Sequence, residues 1–340
     1  MKTNRRYNAK IQRAKGLLEI AAAMYDTSLS FETRRAAERA LQTESRVGYV
    51  LGLALSAAPA QRAKGVSLSF AADSLRELRW VAEKKISLAW VNPSVAATLA
   101  YKGTGPFRRP LPLRAIAVFP SYDVVGFAVH ESLGISSLTE IKEKKIPLRL
   151  ATRETGAQAI AESPTMFTVV AVMKAAGFTI GDLKRWGGRI HSVERPSDPR
   201  RRAAIESGAV DAVFDEGIKS WGQTALDHGF RYVPIEGAVL KRLAAMGYRP
   251  SFLPKSEFRG MKSDVQTVDF SGWPMVVHRD MPNDVAHAIC EAIELKRRIL
   301  PTDNFKPLSL AQLCADDSEA PRGIPLHPGA RRFYRERGCL

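Results

Sequence analysis

The chain has 340 residues, 45% hydrophobic and 25% charged, a composition that excludes a disordered tail and a membrane protein and fits a soluble globular one. Lysine and arginine number 51 against 35 aspartates and glutamates, so the formal net charge is +16, which attracts anionic partners but says nothing of fold. The length accommodates two domains with separate cores, and no apolar run is long enough to span a bilayer.

In chain order, residues 17–24 read as a strand with equal compatibility for helix, 25–31 as a polar loop and 32–41 as an amphipathic helix. Residues 48–60 are the one signal-like run. Their internal position favours a buried helix with its following loop, and no apolar segment follows the basic start Met1-Lys-Thr-Asn-Arg-Arg-Tyr7 as a signal peptide requires. Residues 66–70 alternate as a strand does, and Asp73 or Ser74 is placed to cap a helix over 75–84. A buried strand at 86–91 leads to Pro93, expected at the first helical turn, where its missing N–H costs nothing.

Strands follow at 114–119 and 124–129, separated by Pro120-Ser-Tyr-Asp123, a candidate hinge. A strand at 148–151 precedes a helix opening at Thr155 or Gly156 and interrupted at Pro164. Strands at 189–193 and 212–214 complete an alternation of β and α that points to a doubly wound sheet in each lobe. Residues 232–235 read as a return strand, 270–278 as a strand bent at Pro274, 283–300 as a helix and 328–336 as a short closing helix. The tail from Pro301 onward is expected to wrap over the first lobe.

One unit recurs: an apolar strand, a short polar loop, then a helix start. It appears around Ile86-Ser-Leu-Ala-Trp-Val-Asn-Pro-Ser94, Ala100-Tyr-Lys-Gly-Thr-Gly-Pro-Phe107 and Ala151-Thr-Arg-Glu-Thr-Gly-Ala-Gln158. Loops of this kind at the carboxyl ends of strands hold ligands in open α/β sheets. The six histidines show no metal-binding spacing, and no metal or cofactor is expected. The three cysteines, Cys290, Cys314 and Cys339, contain no CxxC pair, so at most one disulfide can form, with Cys314 and Cys339 the candidate pair and buried free thiols the expected state. The basic clusters at 195–202 and 296–298 lack interleaved aromatics, and no nucleic-acid partner is expected.

The central run resembles the substrate-binding proteins of TRAP transporters in the branch called TAXI. The resemblance rests on Ala100-Tyr-Lys-Gly-Thr-Gly-Pro-Phe107, on Gly134-Ile-Ser-Ser-Leu-Thr-Glu-Ile-Lys142, on Ala209-Val-Asp-Ala-Val-Phe214 and on the tail His327-Pro-Gly-Ala-Arg-Arg-Phe-Tyr334. It implies a two-lobe type II periplasmic-binding-protein fold with the ligand cleft between the lobes. Residues 1–123 and 233–340 would form lobe one and 124–232 lobe two, with crossovers near 122–125 and 232–234. It further implies a periplasmic receptor that captures a small organic acid or amino acid without chemistry and delivers it to the TRAP membrane permease subunits. A cytoplasmic location is the alternative.

Carried across by position, the resemblance makes Ser74, Asn92, Tyr122, Asp123, Thr152, Arg153, Thr155, Gly156, Ala157, Asp215, Glu216 and Gly217 the ligand-facing residues. Arg153 is either a bidentate clamp for a ligand carboxylate or a surface arginine paired with Glu154. Asn92 is either a donor and acceptor for the ligand or a helix cap, and Tyr122 either a ligand contact or a hinge aromatic. Trp221 either walls the cleft or sits in the core. Two departures stand out: the first loop, Met24-Tyr-Asp-Thr-Ser-Leu-Ser-Phe31, lacks the family's glycines, and Asp215-Glu216 replaces uncharged residues, which would favour an amine or polyol over a bare anion. An enzyme on the same fold, using Asp123, Glu154, Asp215 or Glu216, and a cytosolic ligand sensor are the alternative functions.

Overall fold

The structure, a computed structural model, describes residues 74–296, 308–318 and 320–340. The elements expected at 17–24, 25–31, 32–41, 48–60 and 66–70, and the capping candidate Asp73, lie outside these residues.

Helix α1 (Ser74–Ala82) buries Leu75, Leu78 and Val81 at helical spacing. Strand β1 (Leu88–Trp90), a cis Asn92–Pro93 bond and α2 (Ser94–Lys102) follow, and α2 ends where Gly103 turns into the left-handed region. Pro93 is the residue before the helix and not, as the sequence suggests, its first turn. Strands β2 (Leu113–Phe119) and β3 (Val124–His130) are covered on both faces, which is why both read as continuous apolar runs.

Next come α3 (Leu138–Glu143), β4 (Arg149–Arg153), α4 (Ala157–Glu162) and α5 (Pro164–Ala175), with Ser163 capping α5 and Pro164 opening it. The chain continues through α6 (Ile180–Arg185), β5 (Arg189–Val193), α7 (Pro199–Glu206), β6 (Ala212–Asp215), α8 (Gly222–Asp227), β7 (Phe230–Tyr232), α9 (Gly237–Met246), β8 (Pro250–Leu253), β9 (Val265–Asp269) and β10 (Trp273–His278). Helices α10 (Asn283–Lys296), α11 (Leu310–Cys314) and α12 (Pro328–Glu336) close it.

These elements make a mixed α/β fold with two sheets. Strands β1, β10 and β2 form a three-stranded sheet in that order, antiparallel throughout, and β10 carries its irregularity between Met275 and Val276, next to Pro274. The second sheet has seven strands in the order β5-β4-β6-β3-β9-β8, with β7 also paired to β3. Strand β4 runs parallel to β5 and β6, as the alternation predicts, whereas β3 is antiparallel to its partners. The parallel winding expected for the first sheet is therefore not found among its described strands.

Successive residues of β3 serve opposite faces. Val125, Phe127 and Val129 join the main core, while Val124 and Ala128 join a second cluster with Ala151, Val213, Trp221 and Phe258. The tail packs on the three-stranded side: α11 and α12 lie against β2, α12 against α10, and residues 325–327 run alongside Ala115.

Among the described residues the chain passes between the sheets twice. It leaves β2 for β3 through residues 120–123 and returns from β9 to β10 through 270–272. The return was expected near 232–234. There, however, Val233 donates to Phe127 O and Ile235 to Gln266 O, both at 2.9 Å, which hold the chain on the seven-stranded sheet. The two passing segments pair with each other. Phe270 N donates to Asp123 O and Gly272 N to Ser121 O, each at 2.9 Å, and Ser271 Oγ accepts from Asp123 N at 3.1 Å while donating to Asp123 O at 2.9 Å.

Gly272 has φ +76°, and a Cβ there would lie 2.5 Å from Ser94 Oγ and 2.7 Å from Pro321 O. Both the conformation and the space demand glycine. Gly272→Ala is expected to destabilise the protein by about 2 kcal/mol, read as a lower urea midpoint at unchanged slope.

Candidate functional site

Asp123 ends the first passing segment, and its carboxylate reaches into the second sheet's loops. It accepts from Gly217 N at 3.0 Å and from Val124 N at 2.8 Å. Gly217, at φ +62°, turns the chain after β6 with Pro196 so close that a Cβ would fall 2.4 Å from its ring. That turn sets Asp215 and Glu216 beside Asp123.

Around them lies a buried ionic network. Arg153, at the end of β4, donates from Nε to Asp215 Oδ2 at 2.7 Å, from one terminal nitrogen to Glu194 O at 2.6 Å and from the other to Glu216. Arg201, on α7, is 0% exposed; one terminal nitrogen pairs with Asp215 and the other donates to Pro196 O at 3.1 Å. Trp221 Nε1 donates to Glu216 O at 3.0 Å. Three carboxylates thus face two guanidiniums. Burial pushes the Asp123 carboxyl up to about 6, and burial with repulsion from Asp215 and Asp123 raises Glu216 well above the carboxylate range.

This geometry corrects several readings of the sequence. Arg153 is engaged at all three nitrogens, so it is neither a free clamp for a ligand carboxylate nor a partner of Glu154. Asp215 is fully buried between two arginines and does not line an opening, and Glu216 is spent on Arg153 and Thr165. Thr152, 0% exposed, donates to Phe214 O at 2.8 Å and faces the interior. Ser74 does not cap a helix: it lies within α1, its hydroxyl donating to Asn92 O at 3.0 Å and accepting from Asn92 N at 3.2 Å.

Tyr122 is engaged within the protein, its hydroxyl donating to Phe252 O at 2.8 Å and its ring lying 5.9 Å from Lys219 Nζ. Burial, then the nearby carboxylates led by Glu257, raises its ionisation further above the phenol range. Trp221, 2% exposed, belongs to the core. The remaining members stay open: Asn92, Gly156 and Ala157 are exposed and Thr155 half-buried. Helix α4, which Gly156 opens, packs on α1, the helix that holds Ser74.

A model of the NMT1-like family matches residues 43–338. The chain belongs to the NMT1-like family. Solved structures similar to this NMT1-like chain are remote. They include the alkanesulfonate-binding protein SsuA from Xanthomonas axonopodis pv. citri, at 14% identity over 67% of this chain and 62% of that one, with a TM-score of 0.30. The chain thus spans under two thirds of that protein's length. A glycine betaine and L-proline binding protein, ProX, from Borrelia burgdorferi matches at 13% identity over 86% and 89% of the two chains, TM-score 0.41. A TctC solute-binding protein from Polaromonas matches at 12% over 86% and 93%, TM-score 0.40.

The residue that sequence reasoning missed in this NMT1-like chain is Arg201, hidden in the cluster 195–202. Its spacing to the buried Ala204 and Ile205, three and four positions on, is the pattern that places it on the inner face of α7. Among the described residues no group of three or more histidine, cysteine or acidic side chains is placed to hold a metal ion, and no helix is long and apolar enough to cross a membrane.

Arg201→Met is expected to lower stability by about 3–5 kcal/mol, because it leaves the Asp215 carboxylate buried with one partner fewer; chemical unfolding of the variant measures it. Asp123 binds its proton more tightly folded than unfolded. Its contribution is therefore fully present below the ordinary value of 3.8 and lost as the pH rises through about 6. Asp123→Asn keeps an acceptor for Gly217 and removes the titration. Its stability relative to the unmodified protein is expected to improve steadily between pH 4 and 7 in paired urea titrations.

Proposed function

We propose that this protein is a solute-binding receptor that closes on a small organic acid or amino-acid-like ligand and releases it unchanged. The observation that carries the reading is the pair of hydrogen-bonded passing segments, 120–123 with 270–272, joining two sheets as a hinge joins two lobes. In this reading the lobes meet where α4 faces α1, and the ligand contacts come from Asn92 on one side and Thr155, Gly156 and Ala157 on the other. Free backbone N–H groups and an asparagine amide suit a carboxylate. Arg153 and Arg201 act inside lobe two, holding the loops that carry Asp123, Glu216 and Gly217, and do not touch the ligand. The resemblance to TAXI proteins supports a TRAP membrane permease as partner and the periplasm as location. No residue is assigned to catalysis.

A thermal-shift screen against dicarboxylates, amino acids, aromatic acids and polyamines tests this. An organic or amino acid is expected to raise the melting temperature, since a ligand at one hundred times its Kd stabilises the folded state by about 2.7 kcal/mol, and to be recovered intact. Gly156→Phe, built into open space, is expected to keep the unliganded melting temperature and weaken the hit at least tenfold. Conversion of the hit, or no shift with any class, overturns the reading.

A further inference from the structure

The tail brings two of the chain's three cysteines together. Cys314 ends α11, and Cys339 follows the last turn of α12, its backbone N–H held by Tyr334 O at 2.9 Å. The Cys314 thiol contacts the Cys339 carbonyl oxygen at 3.7 Å, so the sulfur of one residue already touches the backbone of the other. The Cys339 thiol is turned toward Arg337 O, at 3.7 Å, so joining the two sulfurs requires it to leave that contact for another rotamer. Access differs in a useful way. Cys339 is half-buried and reaches solvent, Cys314 is 3% exposed behind it, and Cys290 is 1% exposed on the face of α10 turned to Ile116.

We propose that Cys314 and Cys339 form a disulfide when the protein meets an oxidising thiol–disulfide pool. A low-molecular-weight disulfide supplies the oxidising equivalents. The Cys339 thiolate attacks one of its sulfurs, forming a mixed disulfide and releasing one thiol. Cys314, giving up its proton to solvent, then attacks Cys339 Sγ and displaces the second thiol. Two protein thiols lose two electrons and two protons, and one small disulfide becomes two small thiols. The bridge closes a loop over residues 315–338. That loop contains the segment alongside Ala115 and all of α12, whose Phe333 and Tyr334 are 0% exposed. The bridge thus clasps the chain end onto the three-stranded sheet, and by restricting the unfolded chain it raises stability. Cys290 takes no part: it is buried, and burial pushes its thiol up to about 12.

The test uses the full chain, purified reduced and then incubated with glutathione disulfide. Alkylation and mass spectrometry are expected to count free thiols falling from three to one, with the peptides holding Cys314 and Cys339 joined. Cys290→Ser is expected to reach zero free thiols, and Cys339→Ser to form no internal bridge. Oxidised protein is expected to melt several degrees above the same sample in dithiothreitol, a difference that Cys339→Ser abolishes. Three persistent thiols, a bridge that includes Cys290, a lasting glutathione adduct on Cys339 or a disulfide-linked dimer would each overturn the proposal. None of these readouts depends on whether the protein binds a solute.

Discussion

A chain that leaves one sheet to build another must satisfy its backbone groups in the gap, where neither ladder is available. Here the two passing segments satisfy each other. Phe270 N–H donates to the Asp123 carbonyl and Gly272 N–H to the Ser121 carbonyl, and the Ser271 hydroxyl serves Asp123 as both acceptor and donor. The two segments run side by side where the chain changes sheets, and the main core continues across the same region, with Ala115, Met275 and Val276 in one cluster with Val125, Phe127 and Val268. Two further elements are attached to these segments: Ser94 N, at the head of α2, donates to the carbonyls of Ser271 and Gly272, and the Asp123 side chain holds the turn at Gly217.

The ionic network adjoins the first of these segments. Buried ion pairs rarely add net stability compared with apolar packing, but once present they punish the loss of any member. In this protein their use is positional. Asp215 is gripped by arginines from β4 and α7, so the end of β6 is fixed relative to both. Glu216 and Asp123 then carry the fixity on to the segment 120–123. An arginine at the end of a strand invites the reading that it greets a ligand; the distances here give it to its own chain.

What the sequence made legible follows from how local each determinant is. Strands β2 and β3 stand out because both faces are covered and Pro120 separates them. The start of α12 at Pro328 and the break at Ser163 are set by neighbouring residues. The return crossing was misplaced because the decision at 232–235 is made by hydrogen bonds to residues 127 and 266, far away in sequence. Arg153 was misread for the same reason, since its carboxylate partners lie 62 and 63 positions on. Arg201 looked like one basic residue among several, although the apolar residues a turn later mark its face. Of the expected ligand set, the structure brings Asp123, Arg153, Asp215, Glu216 and Gly217 into one cluster and leaves Asn92, Thr155, Gly156 and Ala157 open elsewhere.

The segment alongside β2 has one more consequence. Ala115 donates to nothing in its own hairpin on that side; its N–H goes to Pro325 O at 2.9 Å, and its carbonyl accepts from His327 N at 2.8 Å. This pairing occupies both backbone groups of Ala115 on that flank of β2. Its partners, Pro325 and His327, lie 210 and 212 positions further along the chain, so this contact forms only after that segment has been made. A copy cut before Pro325 would leave the Ala115 N–H and carbonyl without these partners, and unpaired strand groups are the template on which strand-swapped dimers and aggregates grow. A pairing that closes β2 at this point is thus separated from it by most of the fold.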